Sequence, residues 1–293
     1  MRIGFIGLGI MGGPMAANLV AAGYDVAGYN RSAAKRERLA AAGGTAVTGV
    51  AEAVRDADVV ITMLPDSPDV EAVALGEDGV FAHAKSGALY VDMSTIRPDV
   101  ARRLDAEGRE RGLRVLDAPV SGGEQGAIDG ALSIMVGGAA DDFAAAREVF
   151  DVMGGTIAHV GPAGAGQTVK AANQLIVAGT IELVAEAMVF LEAQGVETGT
   201  AVEVLGGGLA GSKVLAAKSG NMRNRSFDPG FRVELHDKDL GIVTAAAREA
   251  GVTIPLGAAV AQLMGALKAQ GHGGLDHSAL IKIVEELSGR TAR

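Results

Sequence analysis

The sequence predicts a protein of two domains, an α/β domain with a doubly wound parallel sheet followed by an all-helical domain. Up to about residue 160, short β-branched runs alternate with alanine-rich helical patterns, which is typical of a parallel sheet covered by helices on both faces. From about residue 165, strand-like runs disappear and alanine, leucine and glutamate dominate. The segment 161–164, Gly-Pro-Ala-Gly, separates the two patterns, so we expect the domains to span 1–163 and 164–293.

These patterns predict the individual elements in chain order. In the first domain, strands are predicted at 2–6, 25–29, 58–63, 88–92, 114–118, 132–136 and 156–160. Helical patterns lie between the early strands, at 11–22, 33–42 and 69–75. The proline-free segment 166–194 predicts one helix of about 43 Å that joins the two domains, since a helix rises about 1.5 Å per residue. Further helices are predicted at 200–205, 213–223, 233–250, 256–269 and 277–287.

The composition excludes several classes of protein. The 293 residues are 48% apolar and 21% charged, which is too apolar for a disordered chain and enough for a large core. The absence of cysteine excludes disulfide scaffolds, iron–sulfur clusters, thiolate zinc sites and a cysteine nucleophile. The net charge of −9 argues against a nucleic-acid partner, because such proteins carry a basic surface. An anionic ligand would therefore be held by local cations.

The sequence also argues against a membrane or secreted protein. The most apolar helical stretch, 175–191, contains Glu182 and Glu186, so no membrane span is expected. Residues 3–11 are apolar as in a short signal peptide, but glycine recurs at 4, 7, 9, 12 and 13, which does not suit its helical centre. We therefore expect a soluble, cytoplasmic protein without a membrane partner.

A glycine-rich turn opens the first domain. Gly7, Leu8, Gly9, Ile10, Met11 and Gly12 form the pattern G-x-G-x-x-G directly after the predicted strand 2–6 and at the start of the helix 11–22. In this context the first glycine permits a tight turn, the second lets the backbone approach a pyrophosphate, and the third allows close helix packing. An ordinary strand–helix turn is the alternative interpretation. The context favours a Rossmann-type dinucleotide site formed by these six residues.

The end of the second strand indicates which dinucleotide binds. An NAD site usually has an Asp or Glu there for the ribose hydroxyls, whereas this chain has Asn30, Arg31 and Ser32. Asn30 could bond a ribose oxygen, and Arg31 with Ser32 could bind a 2′-phosphate, because the arginine fork matches phosphate oxygens. The alternative for Arg31 is a solvated loop residue. We expect NADP as the cofactor, with NAD as the alternative.

Two further strand ends carry hydroxyl groups. Ser121, Gly122 and Gly123 follow the strand at 114–118, and such a loop at the carboxyl edge of a sheet suits a substrate carboxylate. The same residues also make an ordinary turn. Ser94 and Thr95 follow the strand at 88–92 and are uninformative alone.

The start of the long helix carries the most informative polar group. Lys170 lies one turn inside the helix, and Asn173 and Gln174 follow at spacings that place them on an adjoining face. A lysine in this position can serve as a general acid, although most helix lysines are simply solvated. His236 and Asp237 do not share a helix face, and the other histidines are scattered, so we expect no metal site.

These motifs, in this order and spacing, resemble the β-hydroxyacid dehydrogenase family, which includes 3-hydroxyisobutyrate dehydrogenases and semialdehyde reductases. The resemblance extends over the whole chain. It rests on the segments 7–14, 117–123, 164–173 and 238–240. The segments 63–68, 207–212 and 229–231 are most similar to the tartronate semialdehyde (2-hydroxy-3-oxopropionate) reductases of this family.

The resemblance implies roles for individual residues. Lys170 would be the catalytic acid and base, assisted by Asn173 or Gln174. Many relatives have Asn where this chain has Gln174, so which amide assists stays open. The substrate would be bound by Ser121, Gly122, Gly123, Phe231 and Asp239. The cofactor would also contact Met63, Leu64, Pro65, Val70, Thr95 and Lys238.

The expected reaction is the reduction of a small aldehyde acid by NADPH, most specifically of 2-hydroxy-3-oxopropionate. Alternatives within the family are a 3-hydroxyisobutyrate dehydrogenase and a succinic semialdehyde or glyoxylate reductase. An imine reductase has the same architecture, but such relatives usually lack the lysine found here at position 170. A dinucleotide sensor without catalysis is the alternative from another class. The resemblance also implies a homodimer or homotetramer formed through the helical domain.

Overall fold

In the computed structural model, which describes residues 1–290, the chain divides into two units, Met1–Lys170 and a second from Ala171 onward. The division predicted from the sequence lies earlier, at residue 163 against 170. The difference arises because the first turn of the long helix is hydrogen-bonded to the sheet, through the carboxylate of Asp117.

The first unit contains a mixed sheet and the helices that cover it. Its strands are β1 (Arg2–Ile6), β2 (Asp25–Tyr29), β3 (Thr45–Ala46), β4 (Val59–Thr62), β5 (Leu89–Asp92), β6 (Arg114–Asp117), β7 (Val120–Ser121), β8 (Leu132–Gly138) and β9 (Gly154–Gly161). Its helices are α1 (Gly12–Ala21), α2 (Ala33–Ala41), α3 (Val50–Val54), α4 (Ser67–Leu75), α5 (Val80–His83), α6 (Pro98–Glu110), α7 (Gly123–Ile128) and α8 (Ala140–Met153).

The strand order confirms the doubly wound α/β architecture. The order is β3-β2-β1-β4-β5-β6-β8-β7, with β9 paired to β8. The strands from β1 to β6 are parallel. The chain runs outward from β1 to β3 and then returns to place β4 on the other side of β1. In such sheets, ligands bind outside the carboxyl ends of the strands where the order reverses.

The sheet is not parallel throughout, contrary to the prediction from the sequence. Strand β8 is antiparallel to β6 and β7 and parallel to β9. Residues 122–131 between β7 and β8 contain only the short helix α7, and a parallel crossover needs a longer connection. The antiparallel pairing follows from this short return of the chain.

The predicted elements of the first unit agree with the observed ones to within about two residues, but several elements were not predicted. These are β3, β7, α3, α5, α6, α7 and α8. Helix α6 buries Val100, Ala101, Leu104 and Gly108, which is a helical spacing that the sequence contains among many charged residues.

Alternate residues of the central strands bury opposite faces of the sheet. Val59 and Ile61 of β4 belong to one hydrophobic core cluster, whereas Val60 belongs to the other. The same alternation separates Leu89 and Val91 from Tyr90 in β5. Both faces are covered, which explains why these strands are apolar without interruption.

The second unit is helical, as predicted. Its elements are the main part of α9 (Ala165–Ala193), then α10 (Thr198–Gly206), α11 (Lys213–Asn224), α12 (Val233–Glu249), α13 (Pro255–Leu267), a π-helical segment (Lys268–His272), a 3-10 helix (His277–Leu280) and α14 (Ile281–Leu287). By length and composition α9 could cross a membrane, although Glu182 and Glu186 led us to expect otherwise. Ala178, Ile181 and Ala185 of α9 are completely buried in this unit, so α9 packs as a core helix.

Candidate active site

The glycine-rich turn has the geometry of a dinucleotide-binding loop. Gly7 has a φ of 102°, and a Cβ there would lie 2.2 Å from the carbonyl oxygen of Met63. A Cβ on Gly12 would lie 1.9 Å from the carbonyl oxygen of Gly7. By contrast, a Cβ on Gly9 would meet no atom within 4 Å. The fold thus requires the first and third glycines, and the second leaves the open space that a pyrophosphate needs.

Asn30 is tied to this loop. Its Oδ1 accepts a hydrogen bond from the N–H of Leu8 at 3.1 Å, so this oxygen is engaged by the protein. The donor of Asn30, Nδ2, is the group that it could offer a ribose oxygen. The N–H of Leu8 is likewise engaged by Asn30 instead of a phosphate.

Arg31 and Ser32 lie on the exposed loop after β2. The loop is shaped by Arg36, to which the sequence assigned no role. Nη1 of Arg36 donates to the carbonyl oxygens of Asn30 at 2.6 Å and Arg31 at 3.3 Å. The signal available in the sequence was an arginine in the first turns of α2, next to the predicted phosphate-binding residues.

The ends of β4 and β5 are linked by Ser94. Its Oγ accepts a hydrogen bond from the N–H of Leu64 at 2.9 Å and donates to Oδ1 of Asp92 at 2.7 Å. The predicted cofactor-binding residues Met63, Leu64, Pro65 and Thr95 all lie on these two strand ends and are at least partly exposed. Val70 is completely buried, where it packs in the core and supports α4.

Asp92 is a buried carboxyl group at this edge. Burial raises its pKa to about 6, against the opposing effect of hydrogen bonds from Ser94 and Thr62. Within residues 1–290, Oδ2 of Asp92 has no hydrogen-bond partner. A cavity of about 10 Å³ lies beside it, lined in part by Tyr90 and Asp117, and this is room for one water molecule.

The turn between β7 and α7 has the backbone that its glycines allow. Gly122 and Gly123 have φ values of 144° and 65°, in the region that favours glycine. Ser121 is partly exposed and pairs with Ser133 of β8. A Cβ on Gly123 would meet no atom within 4 Å, so the turn has open space beside it.

Asp117, at the end of β6, connects the sheet to the helix that carries Lys170. Oδ1 of Asp117 accepts from the N–H of Gly164 at 2.7 Å, and Oδ2 accepts from the N–H of Gln167 at 2.9 Å. Burial raises the pKa of Asp117, and these two backbone bonds oppose the shift. Lys170 lies one turn further along α9 with only 6% of its surface exposed. The interpretation of Lys170 as a solvated lysine therefore does not hold.

In the second unit, two hydrogen bonds join three of the predicted residues, and an ion pair adds a fourth. Nδ2 of Asn173 donates to Oε1 of Gln174 at 2.8 Å, and Nε2 of Gln174 donates to Oδ2 of Asp239 at 2.5 Å. Nζ of Lys238 lies 2.8 Å from Oδ1 of Asp239. Gln174 is thus engaged at both ends, and Asn173 is linked to it directly.

Phe231 is held by a buried aspartate. Oδ2 of Asp276 accepts from the N–H groups of Gly230 at 3.0 Å and Phe231 at 3.1 Å. The ring of Phe231 lies edge-on to His236, with 5.6 Å between the ring centroids. His236 is completely buried, so it belongs to the core of this unit.

His236 also contacts a second buried histidine. The Nδ1 atoms of His236 and His277 lie 3.0 Å apart. Burial, followed by the nearby His236, lowers the pKa of His277 to about 3, so His277 is neutral near pH 7. Within residues 1–290, no group of three or more His, Asp or Glu side chains is placed to hold a metal ion.

Comparisons with known proteins match both parts of the chain to dehydrogenase families. Residues 2–161 match the family described as the NAD binding domain of 6-phosphogluconate dehydrogenase, and residues 164–284 match that described as the NAD-binding domain of NADP-dependent 3-hydroxyisobutyrate dehydrogenase.

Individual relatives span nearly the whole chain. The chain is 40% identical to a 2-hydroxy-3-oxopropionate reductase of Escherichia coli, over 97% of each chain. It is also 40% identical to an NAD-dependent L-serine dehydrogenase of Pseudomonas aeruginosa, over 99% of each chain. The structure of a Mycobacterium tuberculosis 3-hydroxyisobutyrate dehydrogenase with L-serine is 38% identical with a TM-score of 0.88, over 97% of this chain and 98% of that one. The chain therefore belongs to the β-hydroxyacid dehydrogenase family of NAD(P)-dependent oxidoreductases.

Proposed function

We propose that the protein is an NADPH-dependent reductase of small aldehyde acids, with 2-hydroxy-3-oxopropionate as its substrate. The observation that carries this proposal is the double hydrogen bond of Asp117, which joins the first turn of α9 to the end of β6. Because of this link, the buried Lys170 and the exposed turn at Ser121 lie on parts of the chain that are hydrogen-bonded to one another. A proton donor and a carboxylate-binding turn held in this way suit the reduction of an aldehyde acid.

Lys170 is the proton donor in this proposal. The bound nicotinamide supplies the hydride that the carbonyl carbon accepts. Lys170, as the ammonium ion, donates a proton to the carbonyl oxygen as negative charge develops on it. In the reverse direction, neutral Lys170 removes the proton of the alcohol. Asn173 and Gln174 follow one turn later, and we assign them the task of orienting Lys170.

The turn at Ser121 binds the substrate carboxylate in this proposal. The Oγ of Ser121 and the N–H groups of Gly122 and Gly123 are donors, and the positive φ values of both glycines allow consecutive N–H groups to converge on an anion. Phe231 and Asp239 keep the substrate-binding roles that the resemblance implies.

The cofactor preference rests on the loop after β2. Arg31 and Ser32 are exposed there, and the loop carries no acid to bind the ribose hydroxyls. Arg36 holds the loop backbone, which limits the positions open to Arg31. We therefore assign Arg31 and Ser32 to the 2′-phosphate of NADP, and Lys238 to the nicotinamide half of the cofactor.

A second copy of the chain is the partner that the surface of α9 suggests. Val169, Ile176, Leu183 and Phe190 are exposed by 39% to 68% and are spaced by seven residues. A seven-residue repeat of large apolar side chains forms a continuous stripe, and such stripes pair helices with one another. We propose a homodimer or homotetramer formed through this stripe. The mass of the protein in solution, measured by light scattering, tests it, and a monomer at micromolar concentration would contradict it.

A substrate panel tests the proposed function. NADPH oxidation should be fastest with 2-hydroxy-3-oxopropionate and slower with succinic semialdehyde, glyoxylate and methylmalonate semialdehyde. The relatives named for L-serine dehydrogenation, or solved with L-serine, favour a second candidate, which is the oxidation of L-serine with NAD⁺. Faster NAD⁺ reduction with L-serine than NADPH oxidation with any aldehyde acid would favour that candidate. No turnover with any of these substrates would contradict both.

A further inference from the structure

Gln167 is a buried glutamine whose side chain is hydrogen-bonded to the backbone on both sides of Thr95. Only 1% of its surface is exposed. Its Oε1 accepts from the N–H of Ile96 at 3.0 Å, and its Nε2 donates to the carbonyl oxygen of Ser94 at 2.8 Å. A side-chain amide that accepts from one residue and donates to another two positions away replaces the hydrogen bonds of a neighbouring strand. The Ser94–Ile96 segment is therefore held in place like a strand that is hydrogen-bonded to a neighbouring strand.

The backbone N–H of Gln167, in the first turn of α9, is also hydrogen-bonded to the sheet. Its N–H donates to Oδ2 of Asp117, whose Oδ1 accepts from the N–H of Gly164. Lys170 lies three residues after Gln167, which places the two residues on neighbouring positions of one helix face. Gln167 therefore belongs to the helix start that carries Lys170 and is hydrogen-bonded to the segment that contains Thr95.

The hydrogen bonds continue from Ser94 to a third strand end. Oγ of Ser94 accepts from the N–H of Leu64 and donates to Asp92, which also accepts from Thr62. A displacement of Ser94 would thus be passed on to Leu64. Buried polar networks of this kind favour one arrangement strongly, because each broken bond leaves a buried group unsatisfied.

We infer that Gln167 is a positioning residue, which holds the cofactor-lining Thr95 segment and the proton donor Lys170 in a fixed relation. The inference rests on the proposed function, from which it takes the role of Lys170, and on the cofactor contact of Thr95 that the resemblance implies. Its physical basis is that proton transfer and hydride transfer both need the reacting atoms in place, and a displacement of about 1 Å can cost about a hundredfold in rate.

The test replaces Gln167 by Met, which has similar length and offers no comparable hydrogen bond. We expect the Kd of NADPH, measured by its fluorescence without substrate, to rise about tenfold, the change that two buried hydrogen bonds of ordinary strength can produce. We expect kcat to fall about 10- to 100-fold and the KM of the aldehyde acid to change less than about threefold. Gln262→Met makes the same replacement at an exposed position of α13 and should change none of these quantities.

A destabilised control separates positioning from stability. Val149 is buried in α8 and belongs to the core of the same unit, so Val149→Ala should lower the Tm without altering the Kd of NADPH. If Gln167→Met lowers the Tm as Val149→Ala does but leaves Kd and kcat within about twofold of the wild type, Gln167 is only structural and the inference is wrong. If the wild-type protein binds neither NADPH nor NADH, the proposed function itself fails, whatever the variants do.

Gln167→Glu supplies a second readout should Gln167→Met fail to fold. A carboxylate at this position can accept from Ile96 but cannot donate to Ser94, whereas a protonated carboxyl group can do both. The Kd of NADPH for Gln167→Glu should therefore approach the wild-type value as the pH falls from about 8 to about 5.5. Asp92, Asp117 and Lys170 adjoin the same network, so the wild-type protein is titrated in parallel. Equal pH dependence in the two proteins would overturn the inference.

Discussion

Replacing Glu182 by Gln should remove a loss of stability that the wild type shows as the pH rises from about 4.5 to about 8. Glu182 lies in α9 with 5% of its surface exposed, and within residues 1–290 its Oε2 has no hydrogen-bond partner. Burial raises the pKa of Glu182 from 4.5 to about 7, and the charge of Glu186, one turn further on, adds to the rise. The ionised form of this side chain is therefore costly in the folded protein.

The magnitude follows from the difference between the folded and unfolded pKa values. Between pH 4.5 and about 7 the folded state holds a proton on Glu182 that the unfolded state has released, so the free energy of unfolding falls as the pH rises through this window. The difference of about 2.5 between the two pKa values corresponds to about 3 kcal/mol. Glu182→Gln cannot ionise, so relative to the wild type it should gain about 3 kcal/mol between about pH 4.5 and about pH 8.

Urea unfolding at several pH values and one protein concentration measures this gain. Gln at position 182 is still a buried polar group, and its effect on the free energy of unfolding is the same at every pH. The comparison is therefore between the pH dependence of the free energy of unfolding in the two proteins, and not between their stabilities at one pH. Glu186 is exposed, and Glu186→Gln should remove only the smaller part of the effect that comes from its charge. Parallel stability curves for the wild type and Glu182→Gln would refute the reasoning.

Three further predictions concern the proposed chemistry. Lys170→Ala should lower kcat by about 10²- to 10⁴-fold and leave the Kd of NADPH nearly unchanged, and more than about a third of the wild-type activity would exclude a proton-donor role. Ser121→Ala should mainly raise the KM of aldehyde acids, because its hydroxyl binds the carboxylate in the ground and transition states alike. Aldehydes without a carboxylate should be poor substrates and insensitive to this change, and equal turnover of both kinds by the wild type would remove the role of Ser121. Arg31→Ala should weaken NADPH binding about 10- to 150-fold and leave NADH binding nearly unaffected, while Asn30→Asp should favour NADH. The kcat/KM values of the wild type and both variants with each cofactor test these expectations. A wild type that prefers NADH would contradict the assignment of Arg31 and Ser32 to the 2′-phosphate.

Local patterns were enough to predict most of the architecture. Short stretches of sequence predict the alternation of strands and helices and the G-x-G-x-x-G turn, because backbone propensity and periodic burial act over a few positions along the chain. For the same reason the long helix α9 was predicted to within one residue at each end. The requirement for Gly12 has a local cause as well, since a Cβ there would collide with the carbonyl oxygen of Gly7 in the same turn, whereas a Cβ on Gly7 would collide with Met63 at the end of β4.

The partners of the polar side chains depended on the tertiary structure. Gln167 and Ile96 are 71 residues apart in the chain, and Gln174 and Asp239 are 65 residues apart, so no local pattern shows that they meet. A hydrogen bond needs its two atoms within a few tenths of an ångström of one distance, whereas burial needs only the right face of an element. The sequence could therefore place Lys170 on the correct turn of a helix. Only the folded chain shows that Asp117 and Gln167 hold that turn.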